Sequence, residues 1–111
     1  MARRRLRVEW AEAAVRDLEE IVGYLAQESR PDAERLLRRV EDRAATLESS
    51  PARGRTVPEL TRFHMRTWRE LVMRPYRLVY RIEADTVIVL AVFDARRDLE
   101  DLLLERLLRS P

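Results

Sequence analysis

The chain has 111 residues, with 22 basic and 20 acidic side chains, a net charge of +2 and no cysteine. Its length predicts one domain, residues 1–111, with a single core. The lack of cysteine excludes disulfides and thiolate metal sites and favours a cytoplasmic setting. The longest apolar run, 87–93, is too short to span a bilayer, and no apolar segment follows Arg3-Arg4-Arg5 as in a signal peptide. We therefore expect a soluble cytoplasmic protein with no membrane partner.

The first half of the sequence predicts a short strand followed by two helices. Apolar and charged residues alternate over 6–10, which is typical of a strand. Apolar residues spaced three and four apart predict one helix over about 11–27 and another that begins near Pro31. The second helix should end before Ser49-Ser50-Pro51. The tight connection between the two predicts a helical hairpin.

The second half predicts a loop, three strands and a final helix. Residues 51–65 contain proline and glycine without a clean period, so we interpret them as a loop. A strand follows at about 67–73, and 76–82 with 86–93 predict a β-hairpin. Residues 98–109 predict a terminal helix. The fold class is therefore α+β, with the order β-α-α-β-β-β-α and a helical hairpin packed on a mostly antiparallel sheet.

The first strand of that hairpin has two unlike faces. One face carries Tyr76, Leu78, Tyr80 and Ile82, and the other carries Arg77, Val79 and Arg81. We expect the apolar face to lie against the helices and the arginine face to be either solvated or a binding surface. Residues 51–81 hold eight arginines and two acids, which predicts an acidic or polyanionic partner. The alternative is a coding bias, because every basic residue of the 22 is arginine.

Other conspicuous side chains have simpler interpretations. Trp10 and Trp68 are expected in the core or at a sheet edge. His64 has no cluster of possible ligands beside it, so neither a metal site nor a cofactor is predicted. Glu70 is expected to pair with an arginine across the sheet.

Five short segments follow one another in a known order and spacing. They are Trp10 to Tyr24 in the pattern W-x-x-x-A-x-x-D-L-x-x-I-x-x-Y, Ser50 to Leu60, Arg69-Glu70-Leu71, Tyr76 to Arg81, and Arg96-Arg97. Through them the chain resembles the RelE/ParE superfamily of type II toxin–antitoxin toxins, and within it the ParE-like branch. The resemblance implies a toxin of the plasmid-stabilisation type that a cognate antitoxin neutralises, as a homodimer or as a heterotetramer with the antitoxin.

Two mechanisms are known in that superfamily. RelE-like members cleave mRNA in the ribosome, which needs a base, an acid and cations for the phosphate. For this activity the resemblance implies catalytic roles for Arg77, Arg96 and Glu59. Arginine is a poor base, and Asp94 and then leucines such as Leu102 stand where the nucleases place Tyr or His.

ParE-like members instead poison DNA gyrase by binding it. The long helical hairpin and the missing Tyr or His favour this mechanism, so a gyrase-binding toxin that is not an enzyme is our prediction. A ribosome-dependent endoribonuclease is the alternative, and a non-toxic nucleic-acid-binding module is the second alternative.

These interpretations assign two sets of contacts. The residues predicted to contact the target or a phosphate are Arg69, Arg77, Arg81, Arg96 and Arg97. The leucines of the terminal helix cover more of its surface than one sheet face could bury, so part of them should meet another chain. The residues predicted to contact the antitoxin are Leu103, Leu104, Leu107 and Leu108. The antitoxin segment should be apolar, with acidic residues near the arginines of 51–81.

Overall fold

The computed structural model describes residues 5–61, 67–95 and 104–106. Its elements are β1 (Arg7–Trp10), α1 (Glu12–Glu28), α2 (Arg30–Ala45), a 3-10 turn (Thr46–Glu48), β2 (Arg55–Thr56), α3 (Pro58–Thr61), β3 (Trp68–Met73), β4 (Tyr76–Glu83) and β5 (Thr86–Asp94). Of the residues singled out in the sequence, His64, Arg96, Arg97, Leu102, Leu103, Leu107 and Leu108 lie outside the described ranges.

The five strands form one mixed sheet in the order β1-β5-β4-β3-β2. β1 runs parallel to β5, and every other neighbouring pair is antiparallel. The helical hairpin leads the chain from one sheet edge to the other, and β3, β4 and β5 then return as a meander. This confirms the predicted α+β class and the mostly antiparallel sheet.

The helical hairpin is joined by the single residue Ser29. Its side-chain oxygen accepts the backbone N–H of Asp32 at 3.3 Å, and Pro31 stands in the first turn of α2. Such an N-cap satisfies a donor that a helix start leaves unpaired. Both helices were predicted, and three of their four ends lie within one residue of the expected positions. The exception is the end of α2, which stops at Ala45 and continues to Glu48 as a 3-10 turn.

The predicted loop over 51–65 contains two elements that the sequence did not indicate. β2 has two residues, and α3 has four and begins at Pro58. Neither is long enough to show a hydrophobic period, and tertiary contacts define them both. The predicted terminal helix falls mostly outside the described residues; residues 104–106 are helical.

Both faces of the sheet are covered. The first core cluster lies between the sheet and the helical hairpin and includes Leu78 and Tyr80 of β4. The second cluster lies on the opposite face; its members are Val57, Leu60, Trp68, Val79, Leu90, Ala91 and Phe93, with Leu104 packed against it. The expected division of β4 into two faces is confirmed. Of the two alternatives for the arginine face, a solvated surface is wrong for Arg77 and Val79, which are buried.

A β-bulge in β5 changes the pairing of the central hairpin. Val79 pairs with Ala91 and Tyr80 pairs with Val89, so Leu90 has no partner on β4. Leu90 and Ala91 both belong to the second cluster, which strict alternation along a strand would forbid. No helix among the described residues is long and apolar enough to span a membrane.

Candidate functional site

Glu70 of β3 is the centre of a largely buried cluster of charged side chains. Its side chain is 0% exposed. Arg55, its cross-strand neighbour on β2, donates from Nε to Oε2 at 2.6 Å. Arg77 lies two residues along β4 from the partner of Glu70 and donates from Nε to Oε1 at 2.7 Å. The prediction that Glu70 pairs with a cross-strand arginine is confirmed.

Glu59 completes this site from α3. Arg77 donates from Nη1 to Oε2 at 2.6 Å and from Nη2 to Oε1 at 2.7 Å, so the carboxylate and the guanidinium form two parallel bonds. The hydrogen bond from Arg77 lowers the pKa of Glu59, and the same bond raises the pKa of Arg77, while burial opposes both shifts. Both side chains are therefore charged near neutral pH.

Arg55, Glu59, Glu70 and Arg77 form what we call the glutamate–arginine network. It holds two cations and two anions, so its net charge is zero. The side chain of Arg77 is 9% exposed, and each of its nitrogen atoms donates to a carboxylate. The structure thus brings together Arg77 and Glu59, two residues with predicted roles, and uses each to neutralise the other.

The other predicted arginines are placed elsewhere. Arg69 lies opposite Tyr80 in the ladder and donates from Nη1 to the carbonyl of Gly54 at 2.7 Å. Arg81 lies over the ring of Trp68, 5.2 Å from its centroid, and forms an ion pair with Glu83 at 2.8 Å. Arg69 therefore faces the helices, whereas Arg77 and Arg81 face the second cluster.

A short loop holds Arg55 in position. The hydroxyl of Tyr80 accepts the backbone N–H of Gly54 at 2.9 Å and donates to the carbonyl of Pro51 at 2.7 Å. Burial raises the pKa of that phenol. A Cβ on Gly54 would lie 2.5 Å from the Tyr80 hydroxyl and 2.7 Å from the carbonyl oxygen of Glu70. Only glycine fits so close an approach, so Gly54 is a signal that could have indicated a contact here, whereas the sequence analysis used it only as evidence for a loop.

A second ion pair, which the sequence analysis missed, joins the C-terminal part to α1. Asp17 accepts from Nη1 of Arg106 at 2.8 Å and from the backbone N–H of Val92 at 3.1 Å. Arg106 also donates to the carbonyl of Leu90 at 3.4 Å. Leu104, predicted to contact an antitoxin, is half-buried against the second cluster of its own chain.

An open groove of about 580 Å³ lies between the helical hairpin and the edge strand β1. Most of its lining is apolar, and three glutamates belong to it. The lining residues are Val8, Trp10, Val15, Leu18, Glu19, Val22, Leu37, Glu41, Ala44, Ala45 and Glu48. Trp10, expected in the core or at a sheet edge, lies at the edge and contributes to the groove. A groove with this character is suited to an apolar segment that carries basic residues.

The described residues contain no group of three His, Asp or Glu side chains that could hold a metal ion. The network fixes two carboxylates and two guanidinium groups at hydrogen-bond distance, and Glu59 is the only one of its carboxylates that reaches solvent, with 28% of its side chain exposed.

Comparisons with known proteins agree with this fold. A family model described as "ParE toxin of type II toxin-antitoxin system, parDE" matches residues 8–99. No curated protein sequence matches the chain significantly. A chain from the chromosomal ParDE toxin–antitoxin system of P. aeruginosa is 16% identical and superposes with a TM-score of 0.65 over 82% of this chain and 97% of that one.

Two further solved structures are similar. The toxin–antitoxin complex RelBE2 from Mycobacterium tuberculosis contains a chain that is 26% identical, with a TM-score of 0.57 over 81% of this chain and 91% of that one. An arginine-to-alanine mutant of E. coli toxin RelE in the free state is 19% identical, with a TM-score of 0.59 over 96% and 99% of the two chains.

Proposed function

The chain belongs to the ParE toxin family of type II toxin–antitoxin systems, and from this premise we propose that it inhibits growth in the cytoplasm by binding DNA gyrase. A cognate antitoxin neutralises it, as the toxin–antitoxin complexes among its structural neighbours suggest. Under this proposal the toxin binds its target without cleaving RNA.

The bidentate pair of Glu59 and Arg77 is the observation that supports binding over cleavage. A general base needs a lone pair directed at the substrate hydroxyl. Each oxygen of Glu59 already accepts a hydrogen bond from Arg77, which occupies one of its two lone pairs, and the lowered pKa makes the carboxylate a weaker base. Arg77, in turn, donates from Nη1 and Nη2 to Glu59, so a substrate phosphate cannot receive this pair of parallel bonds while Glu59 is bound.

Two assays on the purified toxin test the target. We expect DNA gyrase to lose supercoiling activity as toxin is added, while in vitro translation continues at its normal rate. Cleavage of mRNA in the ribosomal A site with gyrase unaffected would instead establish the endoribonuclease. No effect in either assay, together with salt-sensitive binding to any duplex, would support the non-toxic nucleic-acid-binding module.

The apolar groove is our proposed contact for the antitoxin. Val15, 41% exposed on α1, lines the groove among apolar neighbours, and Glu19 and Glu41 give the lining a negative charge. The part of the antitoxin that enters the groove should therefore combine apolar side chains with Lys or Arg, and the acidic residues expected from the sequence belong to a part that lies near the arginines of 51–81. Leu104 lies on the opposite face of the sheet, so an antitoxin that contacts both must pass around the sheet edge.

A charge placed in the groove tests this assignment. Val15→Glu should lower co-purification of the antitoxin encoded beside the toxin gene by about tenfold or more, because a buried unpaired carboxylate opposes binding. Tyr24→Glu is the matched control, since Tyr24 is 71% exposed on the same helix and does not line the groove. Equal retention of the antitoxin by both variants would exclude the groove.

A further inference from the structure

We propose that Glu59 closes an anion-binding site on Arg77 from within the chain, so that a phosphate group binds there only after the Glu59 side chain has turned away. This autoinhibitory contact holds whichever target the toxin has, because it rests on the network alone. It also gives Glu59 a regulatory role in place of the catalytic role that the resemblance to RelE-like nucleases implied.

The geometry of the pair is that of an arginine holding an oxyanion. Nη1 and Nη2 of Arg77 each donate to a separate oxygen of Glu59, at 2.6 and 2.7 Å. Guanidinium groups hold phosphates through the same two parallel bonds. The Glu59 carboxylate therefore occupies the place that two phosphate oxygens would take.

Of the two carboxylates bound to Arg77, Glu59 is the one that can leave. The side chain of Glu70 is 0% exposed and is also bound by Arg55. The side chain of Glu59 is 28% exposed, and the hydrogen bonds that it makes to another element come from Arg77, at Oε1 and Oε2. Turning into water restores its hydration, whereas Glu70 would have to leave the interior of the sheet.

The backbone around Glu59 need not move for this. Val57 and Leu60, on either side, are both 0% exposed in the second cluster. The hydroxyl of Thr61 also donates to the carbonyl of Val57 at 3.1 Å. These contacts hold α3 against the sheet, so opening requires only a rotation of one side chain.

Opening would leave a positively charged site. With Glu59 turned away, Arg55 and Arg77 face the single carboxylate of Glu70, which gives the remaining network a net charge of +1. Arg77 is 9% exposed, and a charge in such surroundings interacts strongly with an incoming anion. A phosphate group has the charge and the oxygen spacing to replace Glu59.

The test compares the thermal unfolding of wild type and Glu59→Ala with and without inorganic phosphate, at constant ionic strength. We expect phosphate, at roughly ten times its dissociation constant, to raise the melting temperature of Glu59→Ala by about 5 °C. The melting temperature of wild type should rise much less. Glu12→Ala is the matched control, because it releases Arg16 from an exposed ion pair and should show no gain. An oligodeoxynucleotide without terminal phosphate, tested in parallel, distinguishes a phosphodiester from free phosphate as the preferred group.

The double variant Glu59→Ala with Arg77→Met shows whether Arg77 is the residue that binds. It should fold, because methionine removes the buried charge, and it should lose the gain in melting temperature. Equal gains in wild type and Glu59→Ala, or a gain that persists in the double variant, would overturn the proposal. So would the absence of any gain from phosphate and oligonucleotide alike in Glu59→Ala.

Discussion

Arg77 and Arg69 lie on neighbouring strands and were both predicted to contact the target or a phosphate, yet their surroundings differ. Arg77 donates to two carboxylates and is neutralised. Arg69 donates to the carbonyls of Gly54 and Ala52, which carry no net charge, so its positive charge is retained. The difference shows that a basic segment does not identify which cations are available to a partner. That depends on the acids which the fold brings to each of them.

Among the substitutions that test this difference, removal of Glu70 should lower the stability of the protein most. Glu70→Ala leaves Arg55 and Arg77 without their shared buried carboxylate, and we expect the free energy of unfolding to fall by about 3–5 kcal/mol. Urea denaturation measures the loss. The exposed pair of Glu12 and Arg16 is the control, and Glu12→Ala should cost no more than about 0.5 kcal/mol. Losses of similar size would mean that the network contributes little.

The loop that carries Arg55 should be the next most sensitive. Gly54→Ala places a methyl group against the Tyr80 hydroxyl and the Glu70 carbonyl, and the expected cost is about 1–3 kcal/mol. Gly23→Ala in α1 is the matched control, because nothing lies within 4 Å of its added Cβ and alanine favours a helix. That control should stabilise the protein by up to about 1 kcal/mol. If Gly54→Ala also stabilised the protein, Gly54 could not lie as close to Tyr80 and Glu70 as the structure shows.

The pair of Glu59 and Arg77 should make the free energy of unfolding depend on pH. In the folded state the pKa of Glu59 is lowered from 4.5. The ionised carboxylate therefore stabilises the fold fully above pH 4.5, and this stabilisation is lost as the pH falls through the lowered pKa. The free energy of unfolding of wild type should therefore exceed that of Glu59→Gln by about 1 kcal/mol at pH 7. The difference should shrink below pH 4.5, as urea denaturation at several pH values would show. A difference that stays constant down to pH 2 would contradict the ion pair.

Loss of Arg69 should also have a small effect on the free energy of unfolding. Arg69→Met removes hydrogen bonds to neutral carbonyls, so the free energy of unfolding should fall by about 0.5–1.5 kcal/mol. A chemical denaturation curve measures this loss. If an available charge is what binds the target, Arg69→Met should weaken toxicity more than this loss of stability explains. Growth inhibition at equal soluble toxin levels measures that. Unchanged toxicity would show that the retained charge of Arg69 has no part in target binding.

Much of the fold could be predicted from the sequence, because its long elements carry clear periods. The helices α1 and α2 follow a period of 3.6, and β4 alternates between two faces. β2 and α3 were missed because two and four residues are too few to show a period. The burial of the arginine face was missed because Val57, Leu60 and Leu104, which cover it, come from distant parts of the chain.

The candidate site was predictable only in part. Glu70 was correctly expected to pair across the sheet, since β3 and β4 are adjacent. The contact of Glu59 with Arg77 joins residues 18 apart through a one-turn helix, and no local pattern predicts it. The predicted contacts at Arg96, Arg97, Leu103, Leu107 and Leu108 lie outside the described residues and stay predictions.

The bulge at Leu90 has a consequence for how this strand tolerates changes of length. Removing that one residue would leave Val89 facing the helices and Ala91 facing the second cluster, as they do now, and would restore a regular ladder with β4. The shortened strand would lose the carbonyl to which Arg106 donates. Leu90 is thus not needed for the pairing of β5 with β4, but its carbonyl helps to hold Arg106 against the sheet. Deleting Leu90 would therefore weaken the attachment of Arg106 and leave the pairing of the strands intact.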